Sequence, residues 1–176
     1  MSQHPVSFEA YPVDRFIDIV KAWIEHSWPI TAAEARQVYE SLGYSAVPED
    51  PEMLASPFAD GEADSYYVTV KGLVSTVDIA VARPCNAGEE EESSAAITSA
   101  YDAFCQAINS HYKNMISATR SEAGSTEWTF TSDVELDVSV WNRSISTCIH
   151  SPYMTQLRRE EQEMGLTSYD DILEDD

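Results

Sequence analysis

Apolar positions near the start of the chain recur with the spacing of an amphipathic helix. Over residues 14–26 they fall on one helical face, at Phe16, Ile17, Val20, Trp23 and Ile24. The Trp28-Pro29 pair that follows predicts an interruption, because the residue before a proline is pushed out of the helical region. The pattern therefore predicts one short helix that ends before the proline.

A second helix is predicted directly after this break. Thr31 and Glu34 have the spacing of a capping box, which satisfies backbone donors at a helix start. The helix is predicted over residues 32–42 and stops at Gly43, the residue type favoured just after a helix end. The two helices together form a predicted N-terminal helical hairpin.

Period-two alternation later in the chain predicts about five strands. They fall at residues 66–71 and 73–82, around Trp128 and Phe130, and at residues 134–140 and 145–149. Asn142-Arg143 is the predicted hairpin turn between the last two strands, although it lacks the favoured glycine. Hairpin-linked strands of this kind indicate an antiparallel sheet.

Two further helices complete the predicted fold. A long central helix is expected over residues 93–119, with apolar positions every three or four residues, and a short C-terminal helix over residues 156–164. The predicted class is α+β: an antiparallel sheet of about five strands with an N-terminal helical hairpin, one long central helix and a short C-terminal helix.

The segments between these elements are polar, and none of them divides the chain. Residues 45–64 hold three prolines and six acids and are predicted to be an exposed loop, and residues 84–92 a second acidic loop. We expect a single domain over residues 1–176, with a flexible N-terminus at 1–11 and an acidic C-terminal tail at 166–176. No internal repeat is visible.

Charge limits the classes of partner. The chain carries 31 acidic and 10 basic residues, a formal net charge of −21 over 176 residues. Such a field repels nucleic acid, nucleotides and anionic membranes and attracts basic protein surfaces. The N-terminus holds no apolar signal segment and no apolar run is long enough to span a membrane, so we expect a cytoplasmic protein with a protein partner.

Candidate chemistry is sparse. The three cysteines are far apart and lack metal-ligand spacing, and no phosphate-binding glycine loop occurs. His111 lies on the apolar face of the long predicted helix and is interpreted as a core or boundary residue. His150, at a strand end, is the more exposed candidate base but has no recognisable motif around it. The sequence therefore predicts no enzyme activity, metal site or cofactor.

Partner binding is the remaining hypothesis for the conspicuous residues. The candidate contacts are the two acidic loops and one tryptophan: Glu89, Glu90, Glu91, Glu92, Asp60, Glu62, Asp64 and Trp141. An acidic run is also what a solvated surface looks like. Trp141 falls on the polar side of its strand, where it either packs under the terminal helix or is an exposed interface anchor.

Several short motifs carry a family resemblance. They are Ser27-Trp28-Pro29-Ile30-Thr31, Leu42-Gly43-Tyr44, the Trp128 strand and the Val140-Trp141 strand around a long central helix. In this order of elements, over about residues 13–153, the chain resembles small actinobacterial proteins similar to the immunity proteins of secreted polymorphic toxins, such as the immunity factor of the mycobacterial necrotizing toxin. The resemblance implies a cytoplasmic antitoxin that blocks a toxin's active site, and it transfers no individual site residue.

Four hypotheses remain in order of preference. The first is an immunity protein that inhibits a toxin enzyme by binding, its association accelerated by charge. The second is an acidic secretion chaperone or adaptor that holds an extended segment of an exported protein. A DNA mimic is less favoured because the carboxylates cluster in loops instead of following two phosphate-like rows. An enzyme comes last.

Overall fold

The computed structural model describes residues 7–165. Four helices lie in this range: α1 (Val13–Ile24), α2 (Ala32–Ser41), α3 (Glu90–His111) and α4 (Pro152–Glu163). The strands are β1 (Glu9–Ala10), β2 (Ser45–Val47), β3 (Asp50–Ala55), β4 (Ser65–Val70), β5 (Leu73–Ala80), β6 (Ala82–Arg83), β7 (Ile116–Glu122), β8 (Ser125–Phe130), β9 (Glu135–Val140) and β10 (Ile145–His150).

Eight of these strands form one antiparallel sheet in the order β2-β3-β4-β5-β10-β9-β8-β7, and β1 pairs with β6 in a separate two-stranded sheet. The prediction of about five strands was therefore wrong. The order is also repetitive, since a helix followed by a four-stranded meander occurs twice, as α2 with β2–β5 and as α3 with β7–β10. The two meanders join where β5 pairs with β10.

Three strands of the large sheet, β2, β3 and β7, lie in segments that were predicted to be loop or helix. The hairpin of β2 and β3 occupies part of the predicted loop 45–64, and Pro51 sits at the start of β3 near the sheet edge, where proline is tolerated. β7 lies where the long helix was expected to continue to residue 119. The helix instead ends at His111, and the chain returns as an edge strand paired with β8.

The boundaries of α2 follow the local signals, whereas α3 and α4 begin earlier than predicted, α4 at Pro152 instead of residue 156. The Thr31 hydroxyl accepts a hydrogen bond from the Glu34 backbone N–H at 3.2 Å and donates to the Glu34 carboxylate at 3.0 Å. Gly43 follows α2 with a φ of +91°, which favours glycine. The start of α3 was predicted at residue 93 but lies at Glu90, so most of the acidic run belongs to the first helical turn.

The two faces of the large sheet differ in cover. α1, α2 and α3 pack on one face, where their buried side chains meet Val77, Leu136 and Ile149 in a single core. Within that layer the rings of Phe16 and Phe104 stack 4.0 Å apart. The other face, which we call the outer face, is covered only in part by α4, through Thr155, Arg158 and Arg159. This leaves the outer side of β4 and β5 open, with Tyr66 and Val68 exposed.

The chain ends fall partly outside this description. Of the predicted flexible N-terminus, residues 1–6 lie outside the described range, while Phe8 is buried and Glu9 and Ala10 pair with Arg83 and Ala82. The predicted acidic tail at 166–176 also lies outside it. Within residues 7–165, no helix combines the length and apolar character needed to cross a membrane.

Replacing Tyr39 with phenylalanine is expected to lower the free energy of unfolding by about 1–3 kcal/mol. The fully buried Tyr39 hydroxyl donates to the backbone carbonyls of Tyr66 at 2.9 Å and Asp78 at 2.6 Å, tying α2 to β4 and β5. Urea unfolding measures the change. Tyr153→Phe, at an exposed position, is the matched control, and an equal effect of both substitutions would contradict this role.

Candidate functional site

The sheet topology gathers the predicted partner-binding residues at one end. The 56–64 connection leads into β4, the 84–89 connection leads from β6 into α3, and the 141–144 turn joins β9 to β10. Because β4 begins, β5 ends and β10 begins at the same side of the sheet, these three segments are neighbours. We call this side the acidic end.

The acidic run Glu89 to Glu92 forms the start of α3. Glu89 is the N-cap residue, and its carboxylate accepts a hydrogen bond from the Ser7 hydroxyl. The carboxylate of Glu90 accepts a hydrogen bond from the Gly88 backbone N–H at 2.9 Å. Carboxylates in a first helical turn are stabilised by the helix dipole. The run is thus a fixed part of a helix start instead of the predicted loop, with Glu91 and Glu92 exposed to solvent.

Trp141 lies beside this helix start, across an open cleft of about 440 Å³. The cleft is lined by Glu90, Glu91, Ser94, Ile97, Thr98, Val140, Trp141 and Asn142. Trp141 remains 63% exposed, so it does not pack under the terminal helix. Its position is fixed by the hairpin turn at Asn142-Arg143, where the Trp141 N–H donates to the Ser144 carbonyl at 2.8 Å. The structure thus brings three of the predicted contacts, Trp141 and the carboxylates of Glu90 and Glu91, into one cleft.

The acids of the 56–64 connection divide into two kinds. The Asp64 carboxylate accepts hydrogen bonds from the Ser56 backbone N–H at 2.8 Å and from the Ser56 hydroxyl. Asp64 therefore has a structural role in closing the connection. Asp60 and Glu62 are exposed at its tip, but neither lines the cleft around Trp141.

A second polar site, which the sequence reasoning missed, lies on the outer face of the sheet. Strand pairing places Asp78 opposite both Tyr66 and Cys148, and Cys148 opposite Asp137, in one row across β4, β5, β10 and β9. The next row places Glu135 opposite His150 and His150 opposite Thr76. The alternation of Glu135 and Asp137 with buried apolar residues was the available signal for a shared face.

Burial raises the pKa of three groups in these rows, Asp78, Glu135 and Cys148. Burial, with a smaller contribution from Asp64, raises the pKa of Asp78 from 3.8 to about 6, although Tyr66 opposes the shift. Burial and the neighbouring Asp137 also raise the pKa of Glu135, against the attraction of Arg158 and His150. Burial together with the surrounding carboxylates raises the pKa of Cys148 to about 12, so this thiol is not a nucleophile at neutral pH.

His150, on β10, lies between side chains of β5 and β9. Its Nε2 lies 3.1 Å from Asp137 Oδ2 and 3.9 Å from Glu135 Oε2, and its Nδ1 lies 3.3 Å from the Thr76 hydroxyl. Arg158 from α4 approaches Glu135 with both terminal nitrogens, Nη1 3.1 Å from Oε1 and Nη2 2.9 Å from Oε2. His111, by contrast, is exposed at the end of α3, so the interpretation of this residue as core or boundary was wrong.

Comparison with known proteins identifies a family whose function is unknown. The sequence model of DUF6301, described as a family of unknown function, matches residues 14–151. No curated protein and no solved structure matches the chain. The matched range includes the cleft around Trp141 and both polar rows of the outer face.

Asp78→Asn is expected to raise the free energy of unfolding by up to about 2 kcal/mol at pH 7.5 and to have little effect at pH 4. Since the pKa of Asp78 is raised in the folded protein, the folded state binds its proton more tightly than the unfolded chain does. The contribution of Asp78 to stability therefore falls as the pH rises from about 4 to about 6. The asparagine side chain of the variant does not ionise, so the variant does not lose this stability.

Urea unfolding of both proteins at the two pH values measures the difference. Asp60→Asn removes one negative charge from an exposed turn and is the matched control. A stabilisation by Asp78→Asn that is the same at both pH values would contradict ionisation of Asp78 as its cause.

Proposed function

The chain belongs to DUF6301, a family of unknown function, and we propose that this member is a non-catalytic inhibitor of the immunity class, an antitoxin that neutralises a secreted toxin enzyme by covering its active site. The observation that carries this proposal is the cleft at the acidic end. There an exposed tryptophan and two glutamates of a helix start face the same open space.

The composition of this cleft matches what a protein interface requires. Trp141 supplies a large apolar surface of the kind that dominates binding energy when a partner covers it. Glu90 and Glu91 lie beside it and provide negative charge at its rim. Val140 and Ile97 give the cleft an apolar floor. A partner can therefore be held by a desolvated centre with charged contacts around it.

The charge around the acidic end supports a basic partner. Glu91, Glu92, Asp60 and Glu62 are exposed around the acidic end of a chain whose net charge is −21. A basic protein surface would be steered to this end, and an arginine side chain fits the cleft best, since its guanidinium both stacks on tryptophan and pairs with carboxylates. Active sites that bind anionic substrates commonly carry such side chains. The proposed partner is therefore a toxin domain with a basic substrate cleft.

The proposal is tested by co-expressing the tagged protein with the products of its neighbouring genes and isolating the complex. The expected result is a stoichiometric complex with a folded toxin enzyme whose activity disappears on binding. The association rate should fall as the salt concentration rises, because salt screens the steering field. A complex that leaves the enzyme fully active, or no complex even at low salt, would contradict the inhibitor function.

Trp141→Ala is expected to weaken the complex by at least about 2 kcal/mol, a factor of roughly 30 in Kd, because the anchor of the cleft is lost. The exposed Tyr153, 57% accessible at the opposite end of the sheet, provides the matched control as Tyr153→Ala. Isothermal titration calorimetry with the isolated partner measures both. Equal affinities of the two variants would show that the cleft is not the contact.

Charge is tested separately from the aromatic anchor. The double variant Glu90→Gln and Glu91→Gln is expected to reduce the association rate and its salt dependence. Glu160→Gln with Glu161→Gln removes the same charge from exposed positions of α4 and serves as control. Stopped-flow measurement of the association rate at two salt concentrations compares the two double variants. An identical decrease in rate for both would show that steering depends on net charge alone.

A secretion chaperone is the second candidate, and one observation favours it. An apolar pocket of about 440 Å³ lies at the end of the sheet opposite the acidic end, lined among others by Trp28, Val70, Leu73 and Tyr153. A pocket of this kind beside an open sheet face suits an extended apolar segment. In the co-expression experiment, capture of an unfolded exported protein whose binding depends on Leu73 instead of Trp141 would favour this function.

A further inference from the structure

We propose that Glu135, Asp137 and His150 form a binding site for one divalent transition-metal ion, and that Zn²⁺ is the ion they fit best. The site lies on the outer face of the sheet beneath α4. It is independent of the proposed inhibitor function, because Glu135 begins β9 and Trp141 follows its last residue, about 20 Å away along the strand.

The backbone places the three ligands together. Glu135 and Asp137 are two residues apart on β9, so both side chains point to the outer face. The hairpin register puts His150 of β10 directly opposite Glu135. Side chains of opposite residues in an antiparallel pair start about 5 Å apart, and the diagonal neighbour is also within reach. Two rigid central strands thus hold one nitrogen and two oxygen ligands.

The distances are close to those of a metal site. One ligand atom from each residue lies within 4.8 Å of the other two. In a tetrahedral zinc site with bonds near 2.1 Å, ligand atoms are about 3.4 Å apart. The His150 Nε2 distances of 3.1 Å to Asp137 Oδ2 and 3.9 Å to Glu135 Oε2 fall on either side of this value. Small side-chain rotations would bring all three atoms onto one ion.

Unsatisfied buried oxygens are a second, independent indication of a ligand. Glu135 is 94% buried, yet its Oε2 accepts no hydrogen bond, and the buried Asp137 Oδ1 has no hydrogen-bond partner within residues 7–165. Arg158 Nη2 lies 2.9 Å from Glu135 Oε2 but outside hydrogen-bond geometry, so it neutralises the charge without satisfying the oxygen. A cation between the two carboxylates would satisfy Glu135 Oε2, and Asp137 would satisfy its Oδ1 by binding the ion through both oxygens.

The surroundings of His150 orient it for this role. Its Nδ1 lies 3.3 Å from the Thr76 hydroxyl, which leaves Nε2 facing the two carboxylates. Ligating histidines commonly have their second ring nitrogen held by a hydrogen bond in this way. One imidazole nitrogen with two carboxylate oxygens suits Zn²⁺, whereas Mg²⁺ and Ca²⁺ prefer oxygen ligands alone. A water or a partner side chain would complete the coordination.

The test is a zinc titration of the full-length protein after treatment with a chelator. Isothermal titration calorimetry is carried out in excess Mg²⁺, which occupies the exposed acidic surface without competing for a site that contains imidazole. The expected result is one Zn²⁺ per chain. Asp137→Asn and His150→Gln should each weaken binding by about tenfold or more, in line with loss of a ligand.

Three controls keep the result specific. Asp78 lies in the same row as Asp137, two strands away, and His111 is an exposed histidine. The variants Asp78→Asn and His111→Gln should therefore bind zinc as the native protein does. Arg158→Gln removes the group that competes for Glu135 and should bind at least as tightly. Thermal unfolding of each variant checks that it is folded.

Substitution with Co²⁺ gives a second readout, since cobalt bound through imidazole has visible absorption that His150→Gln should abolish. Stoichiometric zinc binding that is lost in Asp137→Asn and His150→Gln and retained in the controls would support the site. No binding in excess Mg²⁺, or binding that both ligand variants retain, would overturn it.

Discussion

The antiparallel pairing of β5 with β10 is the interaction on which the arrangement of this protein depends. It joins two four-stranded meanders, each preceded by a helix, into one sheet of eight strands. It also fixes which connections meet. The 56–64 connection, the start of α3 and the Trp141 turn fall at one end, while His150, α4 and the apolar pocket fall at the other. A different pairing partner for β5 would separate residues that now share a site.

The outer face of this sheet is shaped by the cost of burying charge. Glu135 and Asp137 lie side by side on β9, and Asp78 lies two strands away in the row of Asp137. Burial raises the pKa of Asp78 and of Glu135. Arg158 and His150 compensate this charge only in part. A protein that needed stability alone would place apolar or neutral side chains there. The placement of the Glu135 and Asp137 carboxylates together beneath α4 therefore argues for a ligand that they bind.

Sequence reasoning succeeds where the determinants are local. The Thr31 cap, the Gly43 helix end and the Asn142-Arg143 turn depend on contacts within a few residues, and the structure has all three. It fails for β2 and β3, where prolines and acids indicated a loop, and for β7, where the helical spacing was extended too far. Pairing with neighbouring strands stabilises all three. The acidic residues could be named from composition, whereas their meeting with Trp141 depends on long-range pairing.

The cluster around His150 depends partly on local determinants and partly on long-range contacts. A two-residue turn at Asn142-Arg143 pairs Trp141 with Ser144, and counting outward from it pairs Glu135 with His150 and Asp137 with Cys148. The neighbourhood of His150 was therefore contained in the turn prediction, although burial by α4 and the contact with Arg158 were not. A predicted turn sets the strand register, and the register sets which residues are opposite each other along the whole hairpin. A site that composition does not indicate can therefore be predicted from the turn.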